Sequence, residues 1–284
     1  MIEVYKIGLE WYNNTEDKNG GLFEYRIIKQ ELKDILTTKA VLVIVNGKMS
    51  MNEETFLLDK MKNYDTTIFI ATDIVAFDNN KNIIDASDYL LHQSPTVLSQ
   101  FYYKPQCYSY IPEMFYKYIE ARKIEYNGKM IFGGGLRDNE HQILDYLDAV
   151  PSTAYIKNKL TDTRIPYHQY LDELAKHSYS LVISRKAYQK IGWITPRYTE
   201  CLALNTLPIC DYTYDKFNHF KHISVTTPKH LKTIIDILEN DPGYYKSVLK
   251  QAKDEVLSDV YKFKILVTKL VGGYSNVDLC GFGG

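Results

Sequence analysis

The spacing of apolar positions changes in a regular way along this chain. IEVYKIGL (2–9) alternates as a strand does. AVLVIV (40–45) is a continuous apolar run of strand length, and TTIFIAT (66–72) reads as another buried strand. Between them, LFEYRIIKQELKDIL (22–36) and residues 51–62 carry apolar residues at helical spacing, after a turn-rich loop at 13–21. The pattern restarts beyond the polar stretch KIEYNGK (123–129). KMIFGGG (129–135), TAYIK (153–157), YSLVIS (179–184), LPIC (207–210) and HISV (222–225) are predicted strands. Helices are predicted at 138–150, 167–177 and 228–240, with one long helical segment from about Gly243 to Leu270. Fully apolar strands alternating with helices predict an α/β protein whose parallel sheets are covered on both faces. Two such halves meet near residue 125, which predicts domains at 1–124 and 125–271, with the last helix packing back on the first domain and a tail at 272–284. Ligands of such sheets bind beyond the carboxyl ends of the strands, so a cleft between the halves is the expected site.

Composition narrows the class. The 284 residues are 45% hydrophobic and 24% charged, as in a globular protein, and no apolar run nears the roughly 18 residues of a membrane helix. The N-terminus lacks the basic-then-apolar pattern of a signal peptide. Cys107, Cys201, Cys210 and Cys280 are scattered, which predicts reduced thiols and a cytoplasmic setting, not a disulfide frame or zinc site. The seven histidines show no metal-binding spacing. Charge is balanced at −1, so a nucleic-acid partner would need a local basic surface. The 25 tyrosines include several beside cations, as in FYYKPQCYSY and MFYKYIEARK. Tyr102, Tyr103, Lys104 and Lys117 are therefore candidate DNA contacts, since tyrosine stacks on bases and lysine meets phosphates. The plain alternative is that these tyrosines fill half-buried positions.

Chemistry concentrates in ITPRYTECLALNTLPICDYTYD (194–215). Thr195 and Pro196 predict a helix start, Asn205 a left-handed helix end, and the next apolar run a strand. Arg197 and Glu200, three apart, share a helix face. A cation for a diphosphate and a carboxylate for ribose hydroxyls would use this geometry; a common surface ion pair would too. Gly133, Gly134 and Gly135 link a strand to a helix, where bare backbone can approach a phosphate, and Arg137 follows where an anion would dock. A glycine turn for simple chain reversal is the alternative. Gly20 and Gly21 form a second such turn before the first helix. Asp73 lies just past a buried strand, where α/β folds place catalytic carboxylates and where it could serve as a base, though turn aspartates are common.

In order along the chain, LFEYRII, IFIATDI, LLHQSPTVLSQ (90–100), YSYIPEMFYKY (108–118), IFGGGLR (131–137), RIPYH (164–168) and LVISRKAY leading into ITPRYTECLALNTLPICD resemble the DNA β-glucosyltransferases of T-even bacteriophages. The resemblance implies a GT-B fold, two Rossmann-like domains with parallel sheets facing a central cleft. It places the catalytic base at Asp73. Arg137 and Arg197 fall on the donor diphosphate, Glu200 on the ribose, and Ile165 where backbone holds the uracil. Gly134 and Gly135 line the phosphates, and Tyr188 falls near a donor-side tyrosine. Two features depart from the family. His141 stands where a second arginine is expected, and Gly20 and Gly21 occupy the region of a sugar-contacting carboxylate. The second departure leaves the sugar open between glucose and arabinose.

The implied activity is inverting transfer of that sugar from a UDP-sugar to flipped-out 5-hydroxymethylcytosine in double-stranded phage DNA, inside an infected bacterium, by a monomer. No obligate metal is expected, and Mg²⁺ is compatible. Two other readings stay open at this level: a GT-B glycosyltransferase acting on a surface glycan or lipid, distinguished by lacking a basic cleft rim, and a non-catalytic sugar-nucleotide or DNA-binding module.

Overall fold

The computed structural model describes residues 1–9, 21–94, 98–108, 114–119, 129–134, 140–151, 153–157, 165–214 and 223–273. Two compact units divide the chain: Met1–Met114 together with the segment from Tyr261 onward, and Phe115–Val260. The divisions thus fall at 114/115 and 260/261, whereas the sequence pattern predicts one at 124/125.

The first unit runs β1 (Ile2–Lys6), α1 (Gly21–Leu32), β2 (Val41–Val45), α2 (Met51–Met61), β3 (Thr66–Ala71), α3 (Val75–Asn79), α4 (Lys81–Ala86), β4 (Tyr89–His92) and β5 (Gln106–Tyr108). Its strands pair in parallel in the order β1-β2-β3-β4-β5. Every residue of β2 and β3 is buried, which explains why β2 is apolar throughout and β3 is apolar from Ile68 to Ala71. Register sets the carboxyl edge: Val45 lies beside Ile70, and Ala71 beside His92. Beyond it, the turns after β1 and β2 touch. A Cβ on Gly47 would stand 1.9 Å from the Ile7 carbonyl oxygen, so only glycine permits that approach.

The second unit runs α5 (Phe115–Tyr118), β6 (Met130–Gly134), α6 (Glu140–Ala149), β7 (Ala154–Lys157), α7 (Tyr167–Leu174), β8 (Tyr179–Val182), α8 (Lys186–Ile191), α9 (Arg197–Ala203), β9 (Leu207–Asp211), β10 (Ile223–Val225), α10 (Pro228–Asn240) and α11 (Pro242–Asp259). The parallel order is β10-β9-β8-β6-β7. The chain leaves β6 for β7 on one side, then returns to place β8 on the other. That reversal between β6 and β8 opens a crevice at their carboxyl ends. Phe132, Tyr146, Leu181 and Ile209 help form the core beneath it.

One predicted long helix is two. α11 ends at Asp259, and α12 (Lys262–Leu270) follows in the first unit, packed on α1. Val256 is buried in the second unit, and Phe263 and Val267 are buried in the first. The start of α9 also differs. Its N-cap is Pro196, whose ring has no acceptor to offer, so no side chain caps it; the Thr195 carbonyl accepts a 2.7 Å hydrogen bond from the Tyr214 hydroxyl. Asn205 is left-handed as expected, with φ 64°. No helix among the described residues is long and apolar enough to cross a membrane. Of the predicted tail at 272–284, residues 274–284 lie outside the described residues.

Candidate functional site

At the carboxyl edge of the second sheet, four side chains assemble on bare backbone. A Cβ on Gly133 would stand 2.8 Å from Cε2 of Tyr170 and 3.6 Å from Nη1 of Arg197. Glycine there makes room for the Tyr170 ring. On that ring lies the Arg197 guanidinium, 5.1 Å from the centroid, a cation–π contact. Arg197 Nε is 3.8 Å from Glu200 Oε2, too far for a hydrogen bond. The other oxygen, Oε1, accepts a 2.6 Å hydrogen bond from the Tyr167 hydroxyl. Tyr167 and Tyr170 stack with centroids 6.1 Å apart on the first turn of α7.

This is not the common surface ion pair. Such pairs close at the surface and contribute little. Here the Glu200 side chain keeps 6% of its exposure, Arg197 keeps 24%, and the pair stays open. Burial raises the Glu200 carboxyl above its ordinary value, while Arg197 and the phenols of Tyr167 and Tyr170 oppose the rise. Burial and the neighbouring carboxylate hold the Tyr170 phenol well above its usual range, so it stays protonated. The arrangement offers a fixed cation with an accessible edge beside an acceptor oxygen, which suits an anion joined to a group bearing hydroxyls.

The other predicted residues of this unit are placed unevenly. Gly134 ends β6, where an added Cβ would meet the Phe132 ring at 3.1 Å. Gly135 and Arg137 lie outside the described residues. Ile165 precedes the Pro166 cap of α7, at the same end as Tyr167. Tyr188 is a packing residue, buried in α8 under the Arg185 guanidinium at 5.4 Å. Arg185 itself follows the carboxyl end of β8, a position that a cation after an apolar strand could have signalled. Tyr167 and Tyr170 carry no such local signal. Asp211, at the end of β9, is committed to the fold: it accepts from the Tyr146 hydroxyl at 2.7 Å and Gln142 Nε2 at 3.0 Å. Cys201 is buried and its thiol is pushed up to about 12, which leaves it inert. Among the described residues, cysteines 107, 201 and 210 are free thiols, and no three His, Cys, Asp or Glu residues converge as a metal site.

In the first unit, Asp73 lies two residues beyond β3, at the carboxyl edge of the sheet. Its backbone approach is fixed by Asn46, whose Oδ1 accepts from Thr72 N at 2.8 Å and the Thr72 hydroxyl at 2.7 Å. Lys6 Nζ donates to the Asn46 carbonyl in turn. On the neighbouring strand, His92 is buried, and burial pulls its pKa down to about 4. Ser94 N donates to its Nδ1 at 3.2 Å, so the neutral ring carries its proton on Nε2. Gly21 is the first residue of α1, and Gly20 lies outside the described residues.

The predicted DNA contacts do not gather beside Asp73. Tyr102, Tyr103 and Lys104 precede β5, and the Pro105 carbonyl accepts from Leu90 N near the start of β4. They therefore stand at the amino edge of the sheet, opposite Asp73. Tyr102 is 80% exposed, but the Tyr103 hydroxyl donates to Asp85, and Lys104 Nζ donates to the Ser87 carbonyl. Local partners thus engage two of the three side chains. Lys117 belongs to the second unit, on α5, with Nζ 5.3 Å from the Tyr118 ring centroid.

Two Rossmann-like units, each with a parallel sheet, define the GT-B class of glycosyltransferase folds, and solved structures similar to this one belong to it. The DNA-modifying enzyme β-glucosyltransferase, solved with and without uridine diphosphoglucose, superposes with a TM-score of 0.62 over 96% of this chain and 100% of its own, at 13% identity. The T4 phage enzyme in complex with UDP and Mn²⁺ matches at TM-score 0.59 and 13% identity over 95% of this chain and 99% of its own. An α1,3-fucosyltransferase matches at 0.53 and 11% identity, covering 95% of this chain and 90% of its own. No protein-family model and no curated protein matches the sequence. At such identities the likeness establishes the fold.

Proposed function

We propose that this protein is a UDP-sugar-dependent glycosyltransferase whose acceptor is 5-hydroxymethylcytosine in DNA. The observation that carries the donor half is the open Arg197–Glu200 pair on its tyrosine and glycine bed. A diphosphate fits the guanidinium, and ribose hydroxyls fit the carboxylate. The donor is UDP-glucose or UDP-arabinose.

The acceptor half rests on the resemblance of the sequence segments and on Asp73 at a sheet's carboxyl edge. Asp73 takes the proton of the hydroxymethyl group as its oxygen bonds to the anomeric carbon. The bond from that carbon to the phosphate oxygen breaks, and UDP leaves with the electron pair. Attack opposite the leaving group inverts the anomeric centre. Arg197, joined by Arg137, stabilises the charge growing on UDP. A stacked base cannot reach such an aspartate, so the cytosine must flip out of the duplex.

A second reading is favoured by one finding, the position of Tyr102, Tyr103 and Lys104 at the sheet edge away from Asp73. It keeps the donor chemistry and replaces DNA with a glycan or lipid acceptor. Mass spectrometry of hydroxymethylated DNA incubated with the protein and a panel of UDP-sugars separates the two. A mass increase of one hexose or pentose per modified cytosine is expected. Unmodified DNA alongside hydrolysis of a UDP-sugar would favour the second reading.

A further inference from the structure

Tyr167 and Tyr170 lie three residues apart on the first turn of α7 and reach the two charged side chains of α9 from another element. Neither contact follows from local sequence, since Tyr167 and Glu200 are 33 residues apart. We propose that Tyr167 is a positioning residue for ribose recognition, fixing Glu200 so that it selects a ribonucleotide donor, with Tyr170 holding Arg197 beside it. This rests on the donor reading above.

A buried carboxylate with one oxygen pinned has few rotamers left. Oε1 accepts from the Tyr167 hydroxyl at 2.6 Å, which directs Oε2 toward Arg197 at 3.8 Å, a gap that a ligand hydroxyl and phosphate can bridge. The phenol also favours the ionised form of Glu200, against the burial that favours the neutral acid. Ionised, the carboxylate can accept from two adjacent hydroxyls; protonated, it loses acceptor capacity. Tyr170 plays the parallel part for Arg197. Its ring is wedged between the Gly133 backbone and the guanidinium, so the cation lies flat on a rigid face.

The test is calorimetric titration of the full-length native protein and Tyr167→Phe with UDP and with 2′,3′-dideoxy-UDP across pH. Phenylalanine keeps the ring and its stack on Tyr170 and removes only the hydroxyl. UDP affinity should fall by about fivefold, in keeping with one hydrogen bond to a charged acceptor. Affinity for the dideoxy analogue should stay within about twofold. UDP affinity should rise with pH as Glu200 ionises, and the midpoint of that rise should move to higher pH in Tyr167→Phe. Tyr245→Phe is the control. It removes a buried hydroxyl, bonded to the Ser178 and Asn205 carbonyls, from the same unit, and should leave the midpoint in place. A Tyr167→Phe protein that keeps the native preference for UDP over its dideoxy analogue, with an unmoved midpoint, overturns the inference and leaves the donor reading standing. A native protein that binds the two nucleotides equally overturns both.

Discussion

Arg197 and Glu200 show how burial sets a common pair apart as a candidate site. Three residues apart on a helix, they would be unremarkable in water. The difference lies in what surrounds them: a tyrosine face under the cation, a phenol on the carboxylate, and a separation of 3.8 Å in place of a direct hydrogen bond. Arg197→Ala should therefore weaken UDP binding by about ten- to hundredfold, the worth of charge-assisted hydrogen bonds to a phosphate. Calorimetry would read this directly, and unchanged affinity would remove Arg197 from the donor site. His92 carries a second prediction. Its folded pKa lies below its unfolded value of about 6.5, so the unfolded chain binds the proton more readily. The stability it permits is complete above pH 6.5 and is lost as pH falls toward its folded value of about 4, a loss of about 3 kcal/mol. Denaturant unfolding of His92→Leu between pH 7 and 4 should show a correspondingly flatter acid limb than the native protein.

At the scale of elements, the first turn of α7 and the end of β6 depend on each other. Gly133→Ala would push its methyl group to 2.8 Å from the Tyr170 ring. The ring must shift, and the guanidinium resting on it shifts too. Thermal unfolding should show a cost of about 1–3 kcal/mol, as overpacking does, and UDP affinity should drop in the same variant. A variant as stable as the native protein with unchanged UDP binding would show that the wedge has no role. Glycine 133 was legible as a strand-end glycine, but its reason was not: the sequence suggested a phosphate at the backbone, and the structure places a tyrosine there. Most strands were legible for the opposite reason. β2 and β3 are buried throughout, so β2 is apolar along its whole length and β3 from Ile68 to Ala71. β5 is three residues long with only half-buried Gln106 and Cys107 in view, and no periodicity marks it. The break between α11 and α12 was hidden because no Gly or Pro stands at 260–261.

For the molecule as a whole, the chain builds two units, each on a five-stranded parallel sheet, and the proposed mechanism divides the chemistry between them. Strand ends predicted Asp73 in the first unit and helix spacing predicted Arg197 and Glu200 in the second, because both signals are local. Partners drawn from distant segments were not legible. Tyr103 and Lys104 looked free for DNA, yet Asp85 and Ser87 engage them. Tyr188, which the resemblance put near the donor, is buried, with the Arg185 guanidinium over its ring. The central claim is that Asp73 removes the acceptor proton while the donor is held by the other unit. Its most direct measurement is the rate of sugar transfer to hydroxymethylated DNA by Asp73→Asn, taken with melting temperature and UDP affinity on the same preparation. The account predicts a folded protein with native UDP affinity and turnover reduced by about a hundred- to ten-thousandfold, the usual worth of a general base. A stable, UDP-binding Asp73→Asn protein with near-native turnover would contradict it.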